Sequence, residues 1–497
     1  MLQASLDGLM SLFTFQAMSY MTIGVAFGLL ISFMPGLGGI VAMALLLPFT
    51  FGLGPTAALA LLLGAHIATI FGSSISGILF NVPGAAKSVT VCFDGYPMSQ
   101  RGEGSRALGA AAMASLLGGI IGAVFLTFSL PFMRAVMLAL GPSEYFMMAV
   151  WGLTIIAIFS EGSVLKGLVA AGLGLLISFI GMDPVTSTAR YTFDILFLLD
   201  GIEFPVAVIG LFAVSQMIKL YVKGETIAQL STVENTCTVW DGVRDVFKHW
   251  RLVISSSILG LFIGVLPGVG ASVGGIAAYG QAVQTSKHPE KFGTGMVEGV
   301  IAPEATNAAN EGGGLIPTLG FGVPGGESMT ILLSAFLTMG IQPGRELLTT
   351  NLSVVFAMVW IIVFANILTT GVGLAISQKL TKLTTLPHNV LIPIILSICF
   401  IGSYSVRGRL GDVVVTAVFG VIGYFLDKYK YSRADLVIGM VLGMMIERYM
   451  HISLTLYGNT FFITRPVTFI MLLIIIITTA YPFIKRWRKS ATTGGAS

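Results

Sequence analysis

The sequence predicts an all-α polytopic membrane protein made of two related halves. Three observations carry that prediction. First, hydrophobic residues make up 55% of the 497 and charged residues only 10%, with a mean hydropathy of +0.90. A soluble domain carries about 25% charged residues. Here 108–133, 348–377 and 467–484 have no charge and are long enough to cross a bilayer. Second, two Pro-Gly motifs occur twice in the same order. Ser32-Phe-Met-Pro-Gly-Leu-Gly-Gly39 is matched by Gly264-Val-Leu-Pro-Gly-Val-Gly270, with Pro35 and Pro267 232 residues apart. Leu79-Phe-Asn-Val-Pro-Gly84 is matched by Gly320-Phe-Gly-Val-Pro-Gly325, with Pro83 and Pro324 241 apart. Third, the basic residues are divided unequally between alternate loops, as membrane topology requires.

Taken in order, the apolar segments of the first half lie near 17–34, 40–53, 57–80, 107–130, 143–159, 167–181 and 203–220. Those of the second half lie near 252–265, 271–283, 294–323, 347–378, 389–404, 411–426 and 436–447, and a final one at 466–484 has no first-half counterpart. Some are too short to span alone, which predicts about 12 full spans plus half-helices. The polar bridge 221–251, with Glu225, Glu234, Asp241, Arg244, Asp245, Lys248 and Arg251, marks the one internal boundary. The expected organisation is a first repeat over 1–222, a polar cytoplasmic linker over 223–251, a second repeat over 252–450, and an extra helix with a basic tail over 451–497.

If the segments 17–53 and 252–283 each enter and return, 20 of the 27 Lys and Arg fall on one side and seven on the other. The rich side is cytoplasmic. The N-terminus is then outside, the C-terminus is inside, and the halves are inverted. Met1–Tyr20 lacks the basic stretch of a cleaved signal. The net charge of +4 is spread over short loops, which gives no nucleic-acid face. Cys92, Cys237 and Cys399 have no metal-ligand spacing. No phosphate-binding Gly-x-x-x-x-Gly-Lys loop and no His-Glu-x-x-His or Gly-x-Ser-x-Gly motif is present, so neither ATP hydrolysis nor intramembrane hydrolysis is indicated and no enzyme is expected.

Breaking a helix inside a membrane frees N–H and C=O groups that lipid cannot satisfy. A duplicated pair of breaks is the signature of a secondary transporter with its site between repeats. The candidate substrate residues are therefore Pro35, Gly36, Gly38, Pro83, Gly84, Pro267, Gly268, Gly270, Pro324 and Gly325, with free N–H groups after each break attracting an anion. Ser73, Ser74, Ser76 and Asn81 from one repeat, and Thr318 and Ser328 from the other, can hydrogen-bond carboxylates. Glu304, Asn307 and Glu311 share one helical face, and the 241-residue offset places His66 on Asn307 and Thr69 on Asn310. His66, Glu304, Asn307, Asn310 and Glu311 are the candidate cation-coupling residues, with a candidate Na+ position near Gly36, Gly268 and Asn307. The plainer reading puts Glu304 and Glu311 in a solvated approach helix. For Lys87, Asp94 and Arg101–Arg106 a solvated cytoplasmic loop is the expectation, and for scattered glycines such as Gly118, Gly119 and Gly122 it is close helix packing.

These motifs resemble the large membrane subunit of the tripartite tricarboxylate transporters, the TctA-like family. The likeness rests on Met34-Pro-Gly-Leu-Gly-Gly39, Asn81-Val-Pro-Gly84, Phe93-Asp-Gly-Tyr-Pro-Met98, Leu266-Pro-Gly-Val-Gly270, Pro303-Glu304, Leu315-Ile-Pro-Thr318 and Gly322-Val-Pro-Gly325. It implies a bacterial inner-membrane carrier of tricarboxylate-like anions, driven by a Na+ or H+ gradient and without a cofactor. It also implies a small four-helix membrane partner (TctB-like) and a periplasmic binding protein (TctC-like). The family tends to show paired asparagines after the Pro-Glu, whereas this chain has Asn307-Ala308 and then Asn310-Glu311. The alternatives from other classes are a partner-independent channel or simple carrier for small anions, and a membrane enzyme.

Overall fold

The computed structural model describes residues 1–32, 38–159, 164–183, 187–223, 237–267, 271–380 and 388–493. The first half holds α1 (Leu2–Leu12), α2 (Phe15–Ser32), α3 (Gly39–Leu46), α4 (Pro55–Phe80), α5 (Val89–Gln100), α6 (Gly104–Ala139), α7 (Pro142–Phe159), α8 (Val164–Ser178), α9 (Phe204–Val208) and α10 (Ser215–Lys223). The second holds α11 (Val239–Lys248), α12 (Trp250–Val265), α13 (Ala271–Thr285), α14 (Glu298–Phe321), α15 (Glu327–Thr338), α16 (Arg345–Thr349), α17 (Leu352–Leu380), α18 (His388–Arg407), α19 (Leu410–Lys428), α20 (Arg433–Tyr457), α21 (Phe461–Thr464) and α22 (Pro466–Thr493). Among the described residues the strands are one two-residue antiparallel pair, Gly181–Met182 with Ala189–Arg190. The all-α polytopic class is thus as the sequence predicts.

Seven described helices are long and apolar enough to span a membrane, or eight if the 78° bent pair α11–α12 is one span. About 12 full spans were expected. The shortfall lies in shorter apolar helices such as Gly39–Thr50, Val164–Ser178 and Glu327–Thr338, and in α14, whose carboxylates and amides dilute its apolar character.

At the centre are α4 and α14. The apolar window of α4 is buried throughout, because small residues let neighbouring backbones approach. A methyl group at Gly28 of α2 would strike the Ala65 carbonyl of α4, and one at Gly260 of α12 would strike the Thr306 carbonyl of α14. These pairs are related by the same offsets of 232 and 241 that relate the motifs. So are Gly72 against Ser32 and Gly313 against Gly264. The duplication is therefore visible in the packing as well as in the sequence. Gly118 and Gly122 on α6 receive the backbone of α14 in the same way, as the close-packing reading expects.

Long-range polar contacts tie the outer elements down. Arg106 at the start of α6 donates to Asp245 of α11 at 2.6 Å. Buried Glu144 of α7 accepts from Thr468 of α22 at 2.9 Å and pairs with Arg465 at 3.0 Å. Asp94 is fully buried, and the solvated-loop reading is corrected for it. Its Oδ1 accepts the N–H groups of Gly293, Gly295 and Met296, each at 2.8 Å, and its Oδ2 accepts from the Tyr279 hydroxyl at 2.8 Å. The three N–H groups make a ready-made anion cradle, and Asp94 fills it from 200 residues away.

Candidate functional site

Each long central helix stops at a left-handed residue and continues after a Val-Pro-Gly break. α4 is closed by Asn81 (φ 56°), and α14 by Gly322 (φ 66°). Asparagine and glycine are the residues that reach this conformation at least cost. The breaks then fold back on the helices they interrupt. The Gly84 N–H donates to the Ser73 carbonyl at 3.3 Å, and the Gly325 N–H donates to Thr318 Oγ1 at 3.1 Å. Those two N–H groups are therefore not free to face an anion, which corrects the sequence expectation for them. What the glycines provide is close approach. A methyl group at Gly84 would lie 2.5 Å from the Ser32 carbonyl oxygen and 2.9 Å from Ser73 Cα. One at Gly325 would collide with the backbone of Gly314, the residue that the 241 offset matches to Ser73.

The chain emerging from both breaks lines one cavity of about 520 Å³. Four helix N-termini form its wall: Gly38–Ile40 of α3, Ala271–Ser272 of α13, Gly326–Met329 of α15 and Ser432–Ala434 of α20. Each brings the positive end of a helix dipole to the cavity. Lys87, Lys430 and Arg433 add side-chain cations. Four carboxylates also reach the wall. Glu311 takes His66 and Lys87, Asp427 takes Lys219 at 2.5 Å, and Asp435 accepts from the α20 N-cap Ser432 at 2.9 Å. The fourth, Glu327, begins α15.

The predicted residues divide clearly. Of the substrate set, Gly38, Pro324, Gly325 and Ser328 line the cavity. Pro35, Gly36, Gly268 and Gly270 lie outside the described residues, and Pro267 is buried in the turn after α12. Ser73 and Ser76 are buried behind the wall, their hydroxyls donating to Ile70 and Ser73 carbonyls at 3.0 Å each. Thr318 donates to the Gly314 carbonyl at 2.6 Å, and Asn81 caps its helix at the surface. Hydroxyls inside helices bond the preceding turn when no better acceptor faces them, and this spends them here.

Of the cation set, His66 and Glu311 bond each other directly. His66 Nε2 is 2.7 Å from Glu311 Oε2, and Lys87 Nζ is 3.2 Å from Glu311 Oε1. Asn307 Nδ2 donates to the Lys87 carbonyl at 2.9 Å, and Asn310 Nδ2 donates to the Gly260 carbonyl at 3.3 Å. Ser74 Oγ donates to Glu304 Oε1. Both glutamates are buried, at 0% and 7% exposure, so the solvated-helix reading does not hold for them. Lys87 likewise leaves the solvated loop for an ion pair in the wall.

Sequence reasoning missed the 427–435 segment. Asp427, Lys430, Ser432 and Arg433 look like a polar loop, yet they close the cavity. The Arg433 guanidinium donates to Ser215 Oγ at 2.8 Å and to the Leu211 carbonyl at 3.4 Å. Ser215 also donates to Leu211, and the backbone between α9 and α10 widens there into a π-turn over Ile209–Val214. Side chains inserted into the helical ladder have this effect, and such turns recur at functional sites. The available signal was the short polar gap between α19 and α20, with three basic residues in the six positions 428–433.

Comparison with known proteins identifies the family. The model of the tripartite tricarboxylate transporter TctA family matches residues 18–438. An uncharacterized 52.8 kDa protein in the TAR-I ttuC' 3' region of Agrobacterium vitis is 31% identical over 447 residues, covering 90% of this chain and 89% of that protein. An uncharacterized protein in the TAR-II ttuC' 3' region of the same organism is 31% identical over 234 residues, covering 46% of this chain and 97% of its own. No solved structure matches the chain. With most of its length matched to the family, this multi-pass membrane protein belongs to the tripartite tricarboxylate transporter TctA family.

Proposed function

We propose that this chain is the transport subunit of a binding-protein-dependent carrier that imports organic carboxylates across the bacterial inner membrane, driven by a Na+ or H+ gradient. One observation carries the reading: four helix N-termini and three basic side chains converge on a single cavity beside both Pro-Gly breaks. Backbone dipoles and N–H groups bind carboxylates without adding a mobile charge. The cavity wall also carries four carboxylates of its own.

In this reading a small membrane subunit and a periplasmic binding protein complete the machine. The repeats are inverted, with the N-terminus outside and the C-terminus inside. Alternating access follows from one part of each repeat moving against the other around the cavity. Reporter fusions after Arg101 and within 183–200 should then lie on opposite sides of the membrane.

The test is reconstitution in proteoliposomes. Chain, small subunit and binding protein together should accumulate carboxylate against its gradient when an inward Na+ or H+ gradient is imposed. The chain alone should give negligible accumulation. Full uptake by the lone chain would indicate an ordinary carrier, and passive conduction without ion coupling would indicate a channel.

A further inference from the structure

We infer that the crossing of α13 over α14 holds a monovalent metal cation of sodium size, bound by Thr90 Oγ1, the Lys87 carbonyl and Asn307 Oδ1, one turn of α14 from Glu304. Glu304 is completely buried, and its Oε1 accepts from Ser74, but its Oε2 has no hydrogen-bond partner. Lys87 and His66 both pair with Glu311 instead. Among the described residues Glu304 has no ion-pair partner. A buried carboxylate left in that condition is costly, and a bound metal ion or a proton relieves it.

The neighbouring oxygens favour the metal. Asn307 lies three residues on from Glu304 on the same helical face and is 1% exposed, with Oδ1 unpartnered. Thr90, at the start of α5, is 3% exposed, with Oγ1 unpartnered. The Lys87 carbonyl accepts the Asn307 amide and retains a second lone pair. All three oxygens face the bare Cα of Gly275 on α13. A methyl group there would sit 2.8 Å from Thr90 Oγ1, 3.5 Å from the Lys87 oxygen and 3.6 Å from Asn307 Oδ1. A proton on Glu304 needs no such gathering. Several hard oxygen donors brought from separate elements to one point are what a hard metal cation requires.

The role of this site rests on the carboxylate-import reading, although its existence does not. Lys87 connects the two ligands. Its carbonyl faces the cation position, while its ammonium group lines the anion cavity. Filling one side therefore orders the residue that serves the other, which is a physical route to coupled binding.

Thermal unfolding of the purified full chain in detergent tests the site without partner or substrate. Na+ replaces choline at constant ionic strength and neutral pH. The wild type should gain stability saturably with Na+. Thr90→Val and Asn307→Ala should each raise the half-saturating Na+ concentration by about tenfold or more. Gly275→Ala, which fills the position, should do the same, and Thr90→Ser should retain the response. No Na+ stabilisation of the wild type, or an unchanged half-saturation in both Thr90→Val and Asn307→Ala, would overturn the inference. Proton-driven carboxylate uptake with no Na+ stabilisation sinks this site and leaves import standing. Na+ binding with no carboxylate uptake by the complete system does the reverse.

Discussion

The two Pro-Gly breaks share their backbone and differ in their chemistry. Gly84 folds against Ser73 and Gly325 against Gly314, and each pair occupies the same position in its repeat. The polar groups on the interrupted helices do not match. α4 supplies His66 and the chain after its break supplies Lys87, whereas α14 supplies Glu304, Asn307, Asn310 and Glu311. The basic groups thus come from the first repeat and the acidic ones from the second. The bonds His66–Glu311, Lys87–Glu311 and Ser74–Glu304 all run between repeats. Duplication preserved the scaffold that breaks a helix safely, and divergence turned the seam between copies into a charged interface.

The largest effect should come from cutting that seam. Glu311→Gln leaves Lys87 and His66 facing a neutral amide at a nearly buried position. Removing one partner of a buried pair costs about 3–5 kcal/mol. Because Lys87 and Glu311 also border the cavity, we expect the lower end, about 3 kcal/mol, read as a lowered unfolding temperature in detergent. Glu311→Gln combined with Lys87→Met should recover much of the loss. No recovery would mean that the pair is not the main role of Glu311.

Next come the glycines. Neither Gly84 nor Gly325 has a positive φ, so alanine meets no backbone strain at either position. Its cost is overpacking against the main chain, about 1–3 kcal/mol at each site. Gly84→Ala and Gly325→Ala should therefore insert normally and lose transport to a similar extent, because the collisions are repeat-related. Wild-type uptake in one variant and a severe loss in the other would break the structural equivalence of the two breaks.

A smaller effect on stability is expected for Glu304→Gln. The amide can still accept from Ser74, so unfolding without Na+ should change by about 1 kcal/mol at most. The cation dependence of uptake should change strongly. Unaltered cation dependence at full expression would remove Glu304 from coupling.

How much of this was legible in the sequence follows from where each signal sits. The breaks were legible because Pro-Gly in an apolar run has few structural meanings, and because it occurs twice. The Glu304–Asn307–Glu311 face was legible because its spacing is local. Asp94 was not, because its three N–H partners lie at 293–296 and a backbone donor leaves no trace in residue type. Arg433 was missed for a related reason. A basic residue at a helix start between two spans looks like any cytoplasmic loop, and only the fold brings it over Phe212 and into the wall. The serines misled in the opposite direction. Ser73 and Ser76 are polar in an apolar run, but their own helix consumes their hydroxyls.

The smallest difference between the breaks is at the helix caps, and it tests whether the copies are interchangeable where no chemistry is at stake. Asn81 and Gly322 both take the left-handed conformation, at φ 56° and 66°. Asn81 is exposed, so Asn81→Gly removes only a surface side chain and gives up nothing in backbone geometry. Its stability should stay within about 0.5 kcal/mol of wild type. Gly322→Ala meets two penalties. A side chain in the left-handed region costs about 1–2 kcal/mol. The added methyl group would also lie 3.0 Å from Met445 Sδ and 3.0 Å from Pro343 Cγ. The methionine can swing aside, but the proline ring has little freedom to do so. Gly322→Ala should therefore unfold at a clearly lower temperature than Asn81→Gly, while both retain uptake, because neither residue lines the cavity. Equal stability of the two variants would mean that the caps are as alike as the breaks they precede.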